Sequence, residues 1–506
     1  MTYQPKLSSA FNDTYLRGRH TSPQSGMCSF CTEECEGTCE IALASVLGAQ
    51  AVYPTNTGNN QIASEKEYPI DFSHFNINGR VFGAIGANAN YEEATIYHVK
   101  LEREYGRFHP VRLAMPVILP ALIKLNWEDY FGGAAMAGVT AVIGEGSRNK
   151  DPNLKIEDGK IVEFAALKPM LDAFRKYDRG YGQIVLQCNV EDDMLGLPEY
   201  AIKEHQLEAI EFKFGQSAKG TQPVVKIKNI DEALKKQKMG ELVLPDPMNP
   251  EIIKAYDEGV CPNFYSYGRL PLWDESYLVQ RIEGLRNMGL KNVYFKMAGY
   301  DVKDLEQVIL IASKAQVDMI TFDGAGGGSG YSPCKMMNEW SLPTIVLEDA
   351  VCTIVKKLKS EGHWVPAITI TGGFSSEDHV FKSLAYGDGL VTSIGLCRAS
   401  MTAAMAGKKI GNMIREGNTP KNFIKYGDTV DDIYGDLPEL RALYGKKADE
   451  FSLGAVGVYS YLNKISFGLK HFAALNRKFD VSHLNKTDLI PLTRDAKDLI
   501  KGKWFE

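Results

Sequence analysis

The chain has no apolar run approaching the roughly 20 residues that a helix needs to cross a bilayer. Its first residues, MTYQPKLSSAFNDTY, carry no apolar core of a secretory signal. A basic excess is also missing. Lys and Arg total 57 against 63 Asp and Glu, a net charge of -6, and phosphate backbones are bound by the opposite imbalance. No nucleic acid is expected, and no membrane. The run at Lys235, Lys236 and Lys238 reads as a solvated helix face. Repeats of short period and low-complexity stretches are absent. So is a Gly-x-Gly-x-x-Gly turn between a strand and a helix, the mark of a nicotinamide dinucleotide site; GAGGGSG at Gly324–Gly330 follows a strand but opens no such unit. The expectation is a cytoplasmic protein whose cysteines stay reduced or bind metal.

Cysteine is scarce and unevenly placed. Of nine, four fall together at Cys28, Cys31, Cys35 and Cys39, and five are scattered singly. Thiolates are soft ligands, and four from one short loop can surround a single centre. The C-x2-C-x3-C-x3-C spacing therefore marks a metal site. It fits an iron–sulfur cluster, a [4Fe–4S] centre being the leading choice, with structural zinc as the alternative. Gly37 helps the loop turn back between the last two cysteines.

From Val111 onward, short apolar runs alternate with helical stretches. Strands are predicted at 111–119, 139–143, 183–189, 209–214, 292–297, 317–323, 367–371 and 389–394. Amphipathic segments at 127–137, 164–176, 302–315, 347–360 and 376–385 separate them. Continuous apolar runs are the signature of parallel strands buried on both faces. Eight of them with helical crossovers predict an α/β fold, a (β/α)8 TIM barrel; a doubly wound open sheet is the alternative. The division expected is an N-terminal extension over 1–110 with the cysteines, a barrel over 111–410 and a helical C-terminal segment over 411–506. An insertion at about 215–290 carries Pro245, Pro247, Pro250, Pro262 and Pro271, so much of it is expected to be loop, with helix-like stretches around 230–238 and 276–288.

Barrels carry their chemistry at the C-terminal ends of the strands. Strand four ends in EFKFGQSAKG, with Glu211, Lys213 and Gln216, and strand five at Lys296. Strand seven runs into TGGF, with Gly372 and Gly373, and strand eight into SIG, with Ser393 and Gly395. Residues without side chains let backbone N–H groups approach a phosphate, and barrels often bind one after these two strands. The pairing points to a phosphate-bearing cofactor. A lysine on a barrel strand can stabilise negative charge on a reduced flavin near N1 and the C2 carbonyl, or it can simply pair with a carboxylate. With the glycines, the flavin reading of Lys296 is favoured.

At this point the chain resembles the FMN-binding domain of glutamate synthase. IEFKFGQSAKG is similar to that family's E-I-K-x-G-Q-G-A-K-P-G segment. FKMAGYDVKDLEQVILIASKAQVDMITFDGAGGGSGYSP resembles its V-K-L-V…A-D-x-I-x-I-x-G-x-x-G-G-T-G-A-S-P stretch. VIGEGSRNKDP resembles N-T-G-E-G-G, and ITITGGFSSEDHVFKSLAYGDGLVTSIG resembles D-G-G-L-R-T-G…A-L-x-G-A-D…G. These motifs keep the family's order over about 111–395. The resemblance implies FMN on a barrel, with Lys296 against the flavin and Lys213 and Gln216 beside the flavin and a 2-oxo acid carboxylate. It implies Gly372, Gly373 and Gly395 at the FMN phosphate, with Ser393 and the strand-six glycines Gly327 and Gly328 counted in the same cofactor site.

The departures matter equally. The family's three cluster-holding cysteines after strand eight are reduced to Cys397. Asp323 stands where a small residue is usual, Ser329 replaces a threonine, and TGGFSS lacks the arginine of D-G-G-L-R. Glutaminase and nicotinamide modules are not seen. The expectation is an FMN-dependent oxidoreductase acting on CH–NH2 donors, moving hydride between reduced flavin and a 2-imino acid or amino acid. Electrons would be relayed by the N-terminal cluster, with ferredoxin or another redox protein as partner, in a homo-oligomer. Two alternatives stand beside it. One is a flavin and iron–sulfur electron-transfer subunit of a larger complex. The other is an FMN barrel for a different substrate; a hydroxy-acid oxidase would want a histidine base near strand seven, and neither His363 nor His379 is well placed.

Overall fold

The computed structural model describes residues 42, 45–46, 48, 68–122, 127–214, 225–269, 273–325 and 341–502. Its centre is a closed barrel of eight parallel strands: β4 (Val117–Leu122), β5 (Thr140–Ile143), β8 (Ile184–Cys188), β9 (Ala209–Lys213), β13 (Asn292–Ala298), β14 (Met319–Asp323), β15 (Ala367–Thr371) and β16 (Val391–Gly395). The ring closes where Ile394 and Gly395 of β16 pair with Val117 and Ile118 of β4. Each strand is followed by a helix on the outside. Those used below are α1 (Trp127–Ala137), α2 (Leu167–Arg175), α3 (Leu197–His205), α4 (Ile230–Lys238), α5 (Pro250–Asp257), α6 (Glu275–Asn287), α7 (Val302–Lys314), α8 (Thr344–Ser360), α9 (Glu377–Gly387), α10 (Arg398–Arg415) and α11 (Leu453–Leu475).

Alternate residues of each strand point into the barrel, and their character changes with height. At the N-terminal end Ile118, Val142, Val185, Ala209, Tyr294 and Met319 form one apolar cluster. A hairpin of β2 (Arg103–Tyr105) and β3 (Val111–Leu113) adds Tyr105, Val111 and Leu113 to it and so plugs that end. The Tyr105 hydroxyl meets Thr140 Oγ1 at 2.6 Å and accepts from the Tyr294 hydroxyl at 3.1 Å, which satisfies the polar atoms enclosed there. One layer further along, six of the eight strands turn polar groups inward: Gln187, Glu211, Lys296, Thr321, Thr369 and Ser393, all nearly inaccessible to solvent. The barrel is therefore sealed and apolar at one end and charged toward the other.

The eight barrel strands lie where the sequence pattern predicts them, with one correction. The run 111–119 is two elements, because β3 turns antiparallel onto β2 before β4 begins at Val117. Pro116 accounts for the break: it has no N–H for a ladder and restricts Met115, and the Val117 N–H closes a tight turn onto the Met115 carbonyl at 2.7 Å.

The insertion carries the two helices expected, α4 and α6, but is more ordered than the loop predicted around them. It holds β10 (Val225–Ile227), β11 (Glu241–Leu244) and β12 (Phe264–Arg269), an antiparallel sheet in the order β10-β12-β11, packed with α4 around Ile227, Ala233, Val243 and Phe264. Its prolines punctuate rather than dissolve it. Pro250 is the first residue of α5, and Pro245 directly follows β11.

The remaining pieces brace the barrel. β6 (Lys155–Glu157) and β7 (Lys160–Glu163) form a hairpin after β5. β1 (Phe75–Ile77) pairs antiparallel with β17 (Leu489–Pro491), tying the two ends of the described chain together. The C-terminal segment is mostly helical, and its long α11 packs across α1, α9 and α10. No helix among the described residues is long and apolar enough to cross a membrane.

Candidate active site

The sequence places Lys213 and Lys296 at two strand ends, and the fold makes them neighbours. They are paired residues in the β9–β13 register, both pointing into the barrel and both about 3% exposed. Two ammonium groups side by side and out of water demand counter-charge. Three carboxylates provide it. Glu145, in the loop after β5, reaches Lys213 Nζ at 3.0 Å. Asp323, at the end of β14, stands 3.8 Å from Lys296 Nζ. Glu211 lies one inward position below Lys213 and accepts from Gln187 Nε2.

Local structure holds these groups in place. The Glu145 N–H donates to Gln187 Oε1 at 3.3 Å, so one glutamine links β8, Glu145 and Glu211. Beyond Glu145, the Gly146 N–H donates to Asp192 Oδ2 at 3.0 Å, and buried Arg148 pairs with Asp192 and, at 2.9 Å, with Glu191. On the other side the indole N–H of Trp273 donates to the Lys213 carbonyl at 3.0 Å. Trp273 is where the chain returns from the insertion, so the insertion is anchored on Lys213 itself.

Burial dominates the electrostatics. It pushes the Lys213 ammonium well below the ordinary lysine range, and the Lys296 charge adds to the shift, against the pull of Asp323 and Glu211. It raises the Glu211 carboxyl, opposed mainly by Lys296 and by the Gln187 hydrogen bond. Cys397 also faces this group, and burial raises its thiol. Burial thus favours the neutral forms of both Lys213 and Glu211.

After strand seven, Gly372 and Gly373 have φ of 129° and 85°, a backbone that favours glycine. A Cβ on Gly372 would lie 2.5 Å from Thr344 Oγ1, whose hydroxyl donates to the Gly372 carbonyl at 2.8 Å. The turn is held from behind: the Tyr461 hydroxyl of α11 donates to the Ser375 carbonyl at 2.7 Å, and the Ser375 N–H donates to His379 Nδ1. His379 thus supports the turn, on the helix side. Gly395 sits at the end of β16, where a Cβ would come within 2.6 Å of Pro120 and 2.7 Å of Thr371. Ser393 lies one layer deeper, its hydroxyl 2.6 Å from Thr369 Oγ1. The structure brings Gly372, Gly373 and Gly395 to one end of the barrel and keeps Ser393 within its wall.

Two residues that sequence reasoning passed over belong to this mouth. Asp323 appears in the sequence only as an oddity of the strand-six loop. Arg398, the first residue of α10, is half-buried, and burial lowers its guanidinium to about 10 while Cys397 and Asp323 oppose the shift. An arginine three residues past the strand-eight glycine was the available signal.

Gln216, Gly327, Gly328 and the ligand set Cys28, Cys31, Cys35 and Cys39 lie outside the described residues. Among the described residues no group of three or more His, Cys, Asp or Glu is arranged to hold a metal ion. The mouth does fit a flavin phosphate and ring. It has a left-handed glycine turn, cations at Lys296 and Arg398, and a buried Thr321 hydroxyl with no hydrogen-bond partner among the described residues.

No match was found among curated proteins. Among solved structures, a double mutant of flavocytochrome b2 with sulfite bound superposes with a TM-score of 0.47 at 12% identity, covering 92% of this chain and 85% of that one. The flavin-binding domain of baker's yeast flavocytochrome b2 gives 0.46 at 10% identity, covering 83% and 78%. A soluble mutant of (S)-mandelate dehydrogenase from Pseudomonas putida gives 0.44 at 13% identity, covering 83% and 88%. The conserved region in glutamate synthase matches residues 270–406, from the end of the insertion through β13 and into α10, and over that second half of the barrel this chain is glutamate synthase-like.

Proposed function

We propose that the protein is an FMN-dependent oxidoreductase of the glutamate synthase type. The observation that carries this reading is the register-paired, buried Lys213 and Lys296 at the C-terminal end of a barrel whose second half carries the conserved glutamate synthase region. Gly372, Gly373, Gly395 and Arg398 would hold the FMN phosphate, and Lys296 the electron-rich edge of the ring. Bound FMN would supply hydride transfer.

The chain's own residues fit an imine or amine substrate. Lys213 would orient a substrate carboxylate, and Glu145 is its partner when no substrate is present. Burial raises the Glu211 carboxyl and so favours its protonated form. Gln187 donates to its Oε1, which leaves Oε2 as the atom to carry that proton to a substrate nitrogen. The sealed apolar end of the barrel leaves the mouth as the route for substrate. The four cysteines at Cys28, Cys31, Cys35 and Cys39 would hold the iron–sulfur cluster that feeds the flavin, with ferredoxin or another redox protein as donor.

The direct test is to photoreduce the purified protein without oxygen and mix it with 2-oxoglutarate and ammonia. Rapid return of the oxidised flavin spectrum is expected. A flavin that reoxidises with no 2-oxo acid would sink the amination reading.

A further inference from the structure

Asp323 is a buried carboxylate with no part in the chemistry above. It stands at the end of β14, about 4% exposed, and its Oδ2 is 3.8 Å from Lys296 Nζ. The register explains the closeness. Lys296 pairs with Thr321 and Ala298 with Asp323, so Asp323 is one inward position above Lys296 on the adjacent strand. Both side chains point into the same enclosure.

We infer that Asp323 sets a low reduction potential for the flavin by cancelling the charge of Lys296, an inference that rests on the flavin reading above. The physics is a sum of charges. Two-electron reduction of a flavin takes up two electrons and one proton, leaving one negative charge on the ring. A lysine beside that charge stabilises the reduced form and raises the potential. A carboxylate at the same lysine offsets it, and does so strongly where water is excluded.

Among the described residues, the wider surroundings hold charges of both signs. Among the same described residues, Lys213 is paired with Glu145, Glu211 is the next carboxylate inward, and Arg398, Cys397 and Tyr300 also face the pair. Asp323 is the carboxylate nearest Lys296, so its removal changes the balance most at the place where the ring charge would form. A low potential suits an enzyme that must reduce its substrate, because a poorly stabilised reduced flavin is a strong donor.

The experiment measures the midpoint potential of the bound flavin against a dye of known potential, in the wild type and in Asp323→Asn, Asp323→Ala and Asp323→Glu. Asn and Ala are expected to raise the potential, shifting the ratio of reduced to oxidised flavin by about tenfold or more at a fixed dye ratio. Glu is expected to stay near the wild type. If Asn and Ala keep their flavin at the wild-type potential, the inference is overturned and the flavin reading stands. If both lose the flavin while Glu keeps it, the carboxylate holds the cofactor rather than tuning it, which also overturns the inference. A wild type that binds no FMN removes the flavin reading, and this inference with it.

Discussion

At the residue scale, the mouth is a set of buried charges that, among the described residues, meet one another and the Gln187 amide. Gly373 shows how little latitude the backbone has. With φ at 85°, Gly373→Asp would strain the turn and bring a negative charge to the proposed phosphate site. The purified variant is expected to lack FMN, as read from its visible absorbance, while its far-UV circular dichroism stays that of the wild type. Full flavin occupancy would mean that the phosphate binds elsewhere. A second buried acid, Glu348 of α8, tests the electrostatics away from the site. It is inaccessible, accepts from Ser383 Oγ at 2.6 Å, and burial raises it well above the usual carboxylate range. A folded-state value above the unfolded one means that its contribution to stability is full below the unfolded value and is lost as pH rises through the folded one. Glu348→Gln cannot ionise and escapes that loss. The melting temperature of the variant should therefore gain on the wild type from about pH 4.5 upward. A difference that stays constant across pH would show that Glu348 titrates as an ordinary exposed glutamate.

At the element scale, helix α11 holds the Gly372–Gly373 turn, the proposed phosphate site, from outside. Its Tyr461 bonds the Ser375 carbonyl and its Lys464 pairs with Glu377 at 2.5 Å, both in the segment that follows Gly373. The helix reaches this position by lying very close to α10. A Cβ on Gly457 would stand 2.6 Å from the Ala403 carbonyl oxygen and 3.0 Å from Gly407 Cα, so the two backbones nearly touch. Gly457→Leu should force them apart and destabilise the protein by about 1–3 kcal/mol. It should also loosen flavin retention, because the turn loses its support. Thermal melting and flavin release on gel filtration measure the two effects separately. Unchanged melting would mean that the crossing can open without cost.

At the scale of the whole molecule, the question is how the N-terminal cysteines relate to the barrel. Ala42 and Val46 are buried, and the Val46 carbonyl accepts the Gly435 N–H at 3.3 Å. The Ser45 carbonyl oxygen lies 3.2 Å from the Cβ position of Gly457, at the same α10–α11 crossing. Chain shortly after Cys39 is thus packed on the pair of helices that brace the mouth. Replacing Cys31 and Cys35 with serine should remove iron and sulfide yet leave FMN bound, since the proposed flavin contacts come from the barrel. Reduction by a low-potential protein donor should then fail, while chemical reduction of the flavin still works. Loss of the fold together with zinc would make the site structural instead.

Legibility followed the range of the interactions. Eight apolar runs with helical crossovers made the barrel readable, because burial on both faces imposes a composition on each strand by itself. Lys213, Lys296 and the glycines after strands seven and eight were readable because they sit at strand ends, where barrels put their chemistry. The break at Pro116 was written in one residue and was still passed over, since 111–113 and 117–119 are both apolar enough for one strand. Partnership was not readable. That Glu145 meets Lys213, that Asp323 meets Lys296 and that Gln187 ties the loop after β5 to Glu211 of β9 depend on barrel register, which joins residues far apart in the chain. The sequence by itself determined the barrel and the residues at its mouth, because these follow from local composition. Only the tertiary structure decided which charge cancels which, because that is a matter of distance in an enclosure from which water is excluded.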